Sequence, residues 1–202
     1  MGTPSIPPSP FYDPAGELAA VVEDYQRAGD VGVLLDRLKA LAKRAAPEQL
    51  KSASQPYRDI PEVVIPLYER ITADSPNDAQ AFVVLANAYW LAGRGPAYVE
   101  QLVNRAKQID PNNRGAWHLW ALAESDLRRR VERWYAVTQR FPADQLARAA
   151  LADNATSLAN DEADPVALKL AIDSYESLLA EATHTSQRMA LEQTLRVLKQ
   201  GA

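Results

Sequence analysis

Cysteine is absent from this chain of 202 residues, which excludes a disulfide framework, a thiolate zinc site and a cysteine nucleophile. Glycine is scarce, at 8 residues, while alanine and leucine are abundant, so the composition favours helix. Few stretches are rich in valine, isoleucine and threonine, and no sheet is expected. Because apolar residues make up 47% of the chain, the sequence predicts an all-α fold with a buried core.

Signals for a membrane or a secretory route are also missing. No apolar run approaches the roughly 18 residues that span a bilayer, and no signal peptide is visible. The chain opens with "MGTPSIPPSPFYDP", a proline-rich stretch that predicts an extended arm and could be the linker left after an anchor was removed. The compartment therefore stays open between cytoplasm and periplasm.

Signatures of enzymes and cofactors are absent as well. The sequence has no phosphate-binding loop and no nucleophile elbow. Its two histidines, His118 and His184, lie far apart in sequence, with no carboxylates at ligand spacing beside them. We therefore expect no catalytic residue, no metal site and no cofactor.

Charge is unevenly distributed over a chain whose net charge is −4. Residues 94–140 carry an excess of basic side chains between two acidic flanks. The densest run, "LRRRVERW", predicts either a basic patch for an acidic peptide or phosphates, or a solvated helix face whose arginine stems cover apolar neighbours. The members of this basic patch are Arg128, Arg129, Arg130 and Arg133. Because the chain is acidic overall, no nucleic-acid partner is expected.

Helix signals follow one another along the chain and predict about ten helices joined by short turns. The first is predicted to begin after Asp13 and to end at Gly29, and the next is predicted to close at Pro47. Residues 48–59 are weakly patterned and predict at most one short turn of helix. Residues 114–141 are compatible with one long helix, but a tight turn at Ser125 and Asp126 is preferred.

Prolines recur between these helices. Pro76, Pro111 and Pro142 are spaced by 35 and 31 residues, and Phe82 and Trp117 each follow six residues after the first two. Within residues 79–113 the order of aromatic, large and small residues is the most complete; it is carried by Phe82, Leu85, Ala86, Tyr89, Gly93, Ala106 and the closing "DPNN". This unit resembles the tetratricopeptide (TPR) family, whose repeat has about 34 residues. Two departures from the family pattern are Val99 in this unit, where the family prefers alanine, and Arg130 in the next unit, where it prefers a small residue.

The resemblance implies an all-α, TPR-like right-handed superhelix of about ten antiparallel helices. It divides the chain into a flexible proline-rich arm (1–12), N-terminal helices (13–59), TPR-like repeats (60–142) and a degenerate repeat with a C-terminal capping helix (143–202). In TPR arrays the first helix of each repeat lines a concave groove. Carried over to this sequence, the groove residues are Val83, Asn87, Trp90, Leu91, His118, Leu122, Ser125 and Asp126.

A groove of this composition suits an amphipathic or extended peptide. TPR domains that hold a C-terminal carboxylate use a lysine and asparagine clamp; Asn87 matches it, but Val83 stands at the expected lysine, so that clamp is not expected. The resemblance thus predicts a non-catalytic scaffold or adaptor that binds a protein segment or peptide and supports assembly of a protein complex. The alternatives are a specialised chaperone for secreted or membrane-complex subunits and an accessory subunit of an enzyme. Homo-oligomerisation through the terminal helices is a further possibility.

Overall fold

The computed structural model describes residues 12–200, so the predicted arm lies outside the described residues except for Tyr12. Over this range the chain forms eleven α-helices, one 3-10 turn (Gln55–Tyr57) and no strand, which confirms the predicted all-α class. The helices are α1 (Pro14–Ala28), α2 (Val31–Arg44), α3 (Pro47–Ser54), α4 (Pro61–Asp74), α5 (Ala79–Leu91), α6 (Pro96–Ile109), α7 (Arg114–Leu122), α8 (Leu127–Arg140), α9 (Gln145–Glu162), α10 (Pro165–Glu181) and α11 (Thr185–Gln200).

Aspartate and proline begin most of these helices. A carboxylate accepts backbone N–H groups that have no partner within the helix, and it interacts favourably with the positive end of the helix dipole. Six helices start in this way, capped by Asp13, Asp30, Asp78, Asp126, Asp144 and Asp164. Proline is the first residue of α1, α3, α4, α6 and α10, where its missing N–H costs no hydrogen bond.

Residues 47–57 contain more helix than the sequence predicts. Pro47 does not close a helix but begins α3, and the side chain of Gln49 accepts the Ala46 backbone N–H at 3.0 Å. Leu50 and Ala53 are buried in the same core as residues of α1 and α4. A helix this short is stabilised by its packing more than by its own sequence, which is why the pattern did not mark it.

The predicted turn between α7 and α8 is confirmed, so residues 114–141 form two helices. Asp126 caps α8 through the Arg129 backbone N–H at 2.9 Å. The carboxylate of Glu124 accepts the Asp126 backbone N–H at 3.0 Å and pairs with the Arg133 guanidinium at 2.9 Å. These contacts hold the turn at both sides.

The three connections that contain Pro76, Pro111 and Pro142 share one geometry. In each turn, the carbonyl of the residue before the proline accepts a hydrogen bond from the N–H of the second residue after the proline. The pairs are Ser75 with Asp78, Asp110 with Asn113, and Phe141 with Asp144. This is a β-turn with proline at its second position, where its fixed φ is favourable. The prolines that recur between helices in the sequence therefore mark a recurring turn.

The described residues divide into two compact units between Asn113 and Arg114. We call α1–α6 the N-terminal unit and α7–α11 the C-terminal unit. The division falls inside the segment 60–142 that the resemblance groups together, and the four-part division of the chain stays a prediction. The core of the N-terminal unit is built on large residues such as Leu18, Leu38 and Tyr68, and that of the C-terminal unit on Trp134 and several alanines.

Candidate functional site

The predicted residues of α5 present one cluster of exposed side chains at the end of that helix. Val83 is buried, whereas Asn87, Trp90 and Leu91 are exposed, Trp90 at 39% and Leu91 at 51%. Trp90 and Leu91 follow Asn87 by three and four residues, so each lies beside Asn87 on the helix surface. We call Asn87, Trp90 and Leu91 the α5 face.

The end of α5 is held firmly, which gives the α5 face a defined geometry. Gly93 has a positive φ of 64°, favourable for glycine, and its N–H donates to the Trp90 carbonyl at 3.1 Å. The Arg94 N–H donates to the Tyr89 carbonyl at 3.0 Å. Val84, Leu85 and Ala88 of the same helix are buried in the core of the N-terminal unit and anchor α5 there.

Tyr89, next to Trp90 in the chain, joins three elements. Its hydroxyl donates to Glu69 of α4 at 2.8 Å, and its ring meets the Tyr98 ring edge-on at 6.3 Å between centroids. The Arg94 guanidinium lies 5.6 Å from the Tyr89 ring centroid. Burial, followed by the bond to Glu69, raises the pKa of Tyr89 to about 12. Tyr98 at the start of α6 is itself exposed, and the sequence pattern did not single it out.

His118 in α7 is half-buried and has one partner in α8 and one at the cap of α9. Its Nε2 lies 2.7 Å from Asp144 Oδ2, and its ring meets Trp134 edge-on at 5.2 Å between centroids. The Asp144 side chain is only 3% exposed, and it also caps α9 through Leu146 and Ala147. Burial acts to raise the pKa of Asp144, but the bonds from the Ala147 N–H and from His118 outweigh it, so that pKa is lowered.

The other predicted groove residues of the C-terminal unit differ in role. Leu122 is exposed at the end of α7, and Ser125 is exposed in the following turn. Asp126 is exposed but serves as the cap of α8. The assignment of all eight residues to a groove stays a prediction; the structure places the α5 residues in one unit and the remaining four in the other.

The four arginines of the predicted basic patch do not act alike. Arg128 pairs with Glu162 and, at 2.9 Å, with Asp164. Arg130 donates to Asn154 at 2.8 Å and to the Glu124 carbonyl at 3.0 Å, which accounts for a long side chain where the TPR pattern has a small one. Arg133 lies 4.8 Å from the Trp120 ring centroid and donates to the Trp120 carbonyl at 2.8 Å. Arg129 is exposed, and within residues 12–200 its guanidinium has no ion pair.

Metal sites and membrane spans are two further kinds of feature to consider. Among residues 12–200, no group of three or more histidine, cysteine or acidic side chains is placed to hold a metal ion. In the same range, no helix is both long enough and apolar enough to cross a bilayer.

Solved structures of helical proteins resemble this chain along most of its length. One of them is the MamA RS-1 ArsTM double mutant; the match covers 91% of this chain and 97% of that chain, with a TM-score of 0.54 and 17% sequence identity. TTC0263, a thermophilic TPR protein of Thermus thermophilus, covers 90% of this chain and 98% of its own, with a TM-score of 0.53 at 19% identity. This chain has a TPR-like fold. No family model and no curated protein matches its sequence.

The TPR-like fold accounts for the residues on which the resemblance rests. Leu85 and Ala86, the large and small pair, are both buried, as is Ala106. Val99, one of the two departures, is also fully buried, so α6 accepts a larger residue there. The right-handed sense of the superhelix stays a prediction.

Proposed function

We propose that this protein is a non-catalytic scaffold that binds a segment of a partner protein and thereby supports the assembly of a protein complex. The observation that carries the proposal is the α5 face, which exposes a tryptophan and a leucine at the end of α5. Exposed large apolar side chains that lie together on one face are typical of interaction sites. Tryptophan in particular is enriched among the residues that dominate binding energy.

The chemistry of the α5 face indicates what it would bind. Trp90 and Leu91 offer apolar area, and Asn87 offers an amide that can both donate and accept hydrogen bonds. An amphipathic helix or an extended segment with apolar side chains satisfies both kinds of group. The TPR-like fold supports this proposal because stacked helix pairs present extended surfaces for partners.

Affinity capture with quantitative mass spectrometry tests the proposal. The wild-type protein is compared with the double variant Trp90→Ala/Leu91→Glu, and with Val31→Ala/Val33→Glu as a matched control on exposed positions of α2 in the same unit. We expect a set of proteins that is retained by the wild type and by the control but lost by the α5 variant. Circular dichroism verifies that all three proteins keep their helix content.

The outcome that contradicts the proposal is equally defined. If the α5 variant retains the same proteins in the same amounts as the wild type, the α5 face is not the binding site. The state of the captured proteins separates the scaffold from a chaperone, because a scaffold retains folded subunits in a fixed ratio whereas a chaperone retains unfolded clients.

A further inference from the structure

A cleft of about 500 Å³ lies between α8 and α10 in the C-terminal unit, with α9 at its floor. The floor is apolar and consists of the buried residues Val131, Leu158 and Ala167. Two large apolar side chains form its rim: Val166 is 75% exposed and Tyr135 is 47% exposed. The cleft shares no residue with the α5 face, and none of the predicted groove residues lines it.

The spacing of these residues gives the cleft the form of a groove between two helices. Val131 and Tyr135 lie four residues apart on α8, and Val166 and Leu170 lie four apart on α10. Each pair therefore stands on one face of its helix and follows the length of the cleft. Such a groove accepts apolar side chains that are three or four residues apart on a bound helix.

The polar edge of the cleft carries an excess of negative charge. Arg128 is shared between Glu162 and Asp164, so one guanidinium faces two carboxylates. Hydrogen bonding from the Ala167 backbone N–H, together with Arg128, lowers the pKa of Asp164 and keeps it ionised. Glu132, which also lines the cleft, is exposed and forms no ion pair with any residue of the described range.

We propose that this cleft docks a basic amphipathic segment of a partner protein. Two apolar side chains of that segment fill the space between Tyr135 and Val166, and a lysine or arginine next to them pairs with Glu132. The inference goes beyond the α5 face and does not depend on it. The N-terminal residues of this chain do not fit the requirement, because residues 1–11 contain no lysine or arginine.

Panning of a displayed random library of peptides, each about twelve residues long and so able to form three helical turns, tests the docking site. We expect the enriched peptides to share two apolar residues three or four apart and an adjacent lysine or arginine. Their affinities are then measured by fluorescence anisotropy with synthetic peptides. Val166→Asn is expected to weaken binding about tenfold or more, since it removes one apolar contact that the bound peptide would bury.

The matched control is Leu146→Asn, in the same unit, 70% exposed and outside the cleft, which is expected to leave the affinity unchanged. Both substitutions fall in the first turn of a helix, where asparagine is tolerated. Glu132→Gln is expected to weaken binding about two- to fivefold at low salt, as an exposed ion pair does, whereas Glu192→Gln on α11 is expected to have no effect.

Each other result overturns the inference. Enriched peptides without basic residues, or equal affinity for wild type and Val166→Asn, would remove the basic segment as the ligand. Self-association in sedimentation equilibrium that disappears in Val166→Asn would assign the cleft to a second copy of this chain. Loss of the peptides in Trp90→Ala/Leu91→Glu, with the cleft variants unaffected, would place their binding on the α5 face instead.

Discussion

The two units of this protein fill their cores in different ways. In the N-terminal unit, alanine accounts for five of the twenty residues in the buried cluster, and most of the others are leucine, valine and isoleucine. In the C-terminal unit, alanine accounts for six of twelve. Small residues let helices approach closely, but each buries less apolar area than leucine does. The C-terminal unit therefore depends more on close packing and less on the burial of large side chains.

Both carboxylates that are buried within residues 12–200, Glu124 and Asp144, lie in the C-terminal unit. His118 pairs with Asp144, Arg130 with Asn154, and Arg133 with the buried carboxylate of Glu124. The N-terminal unit also has polar contacts between helices, such as Lys51 of α3 with the α5 cap Asp78 and Tyr89 of α5 with Glu69 of α4. The core of the N-terminal unit thus relies on large apolar side chains, whereas the C-terminal unit also buries carboxylates that have polar partners. Four substitutions test this comparison.

The largest effect is expected from Leu38→Ala in the N-terminal unit. Leu38 is fully buried, so its truncation removes apolar contacts and leaves a cavity, which costs about 3 kcal/mol of unfolding free energy. Urea denaturation measures the loss, and hydrogen exchange shows whether α1–α6 lose more protection than α7–α11. Val33→Ala on the same helix is the control, because Val33 is exposed. Equal losses from the two variants would contradict the importance of large buried side chains here.

A substitution in the opposite direction is expected to harm the C-terminal unit. Ala155 is fully buried in α9, so Ala155→Leu forces neighbouring helices apart and costs about 2 kcal/mol. Thermal and urea denaturation measure this loss. Ser157→Leu, at an exposed position of the same helix, is the control and is expected to change stability little. If Ala155→Leu stabilises the protein, α9 is not closely packed at that position.

Two of the four arginines in the predicted basic patch, Arg133 and Arg129, provide a paired test of the polar contacts. Arg133→Ala leaves the buried Glu124 carboxylate without its guanidinium and is expected to cost about 2 kcal/mol, less than for a fully buried pair. Arg129→Ala is expected to remain within about 0.5 kcal/mol of the wild type, because Arg129 is exposed. Similar losses from both variants would show that the Glu124 contact contributes nothing specific.

The smallest effect is expected from Asp144→Asn, and it depends on pH. Asparagine retains a capping oxygen, so the loss near neutral pH is about 1 kcal/mol and comes mainly from the weaker contact with His118. Because folding lowers the pKa of Asp144, its ionised form contributes stability above its unfolded pKa. That contribution is lost as pH falls through the lowered folded pKa.

Denaturation curves of wild type and Asp144→Asn across the acidic range measure this contribution as the difference between them. The difference should be constant at neutral pH and shrink as the solution becomes acidic. A difference that grows in acid would contradict this expectation and would assign the stabilisation to the protonated carboxyl group of Asp144.

Much of the fold could be predicted from local sequence. The start of α1 at Asp13 and its end at Gly29 were expected, and so was the turn at Ser125 and Asp126, because capping and turn formation depend on residues only a few positions apart. Only one short turn of helix was expected where α3 lies, because α3 is stabilised by contacts with helices distant in sequence. Among the predicted groove residues, Trp90 and Leu91 are exposed, Val83 is buried, and His118 contacts Asp144 and Trp134; this burial could not be predicted from local sequence.

The cleft between α8 and α10 could not be predicted from local sequence either. Val131, Tyr135, Val166 and Leu170 follow the spacing of core residues, and nothing in that spacing distinguishes a buried position from the rim of a groove. The sequence by itself determined the all-α class, the helix boundaries set by aspartate and proline, and the repeated turns at Pro76, Pro111 and Pro142. Only the tertiary structure decided which arginines are paired, which apolar side chains stay exposed and where the two cores divide, because these depend on contacts between residues far apart in the chain.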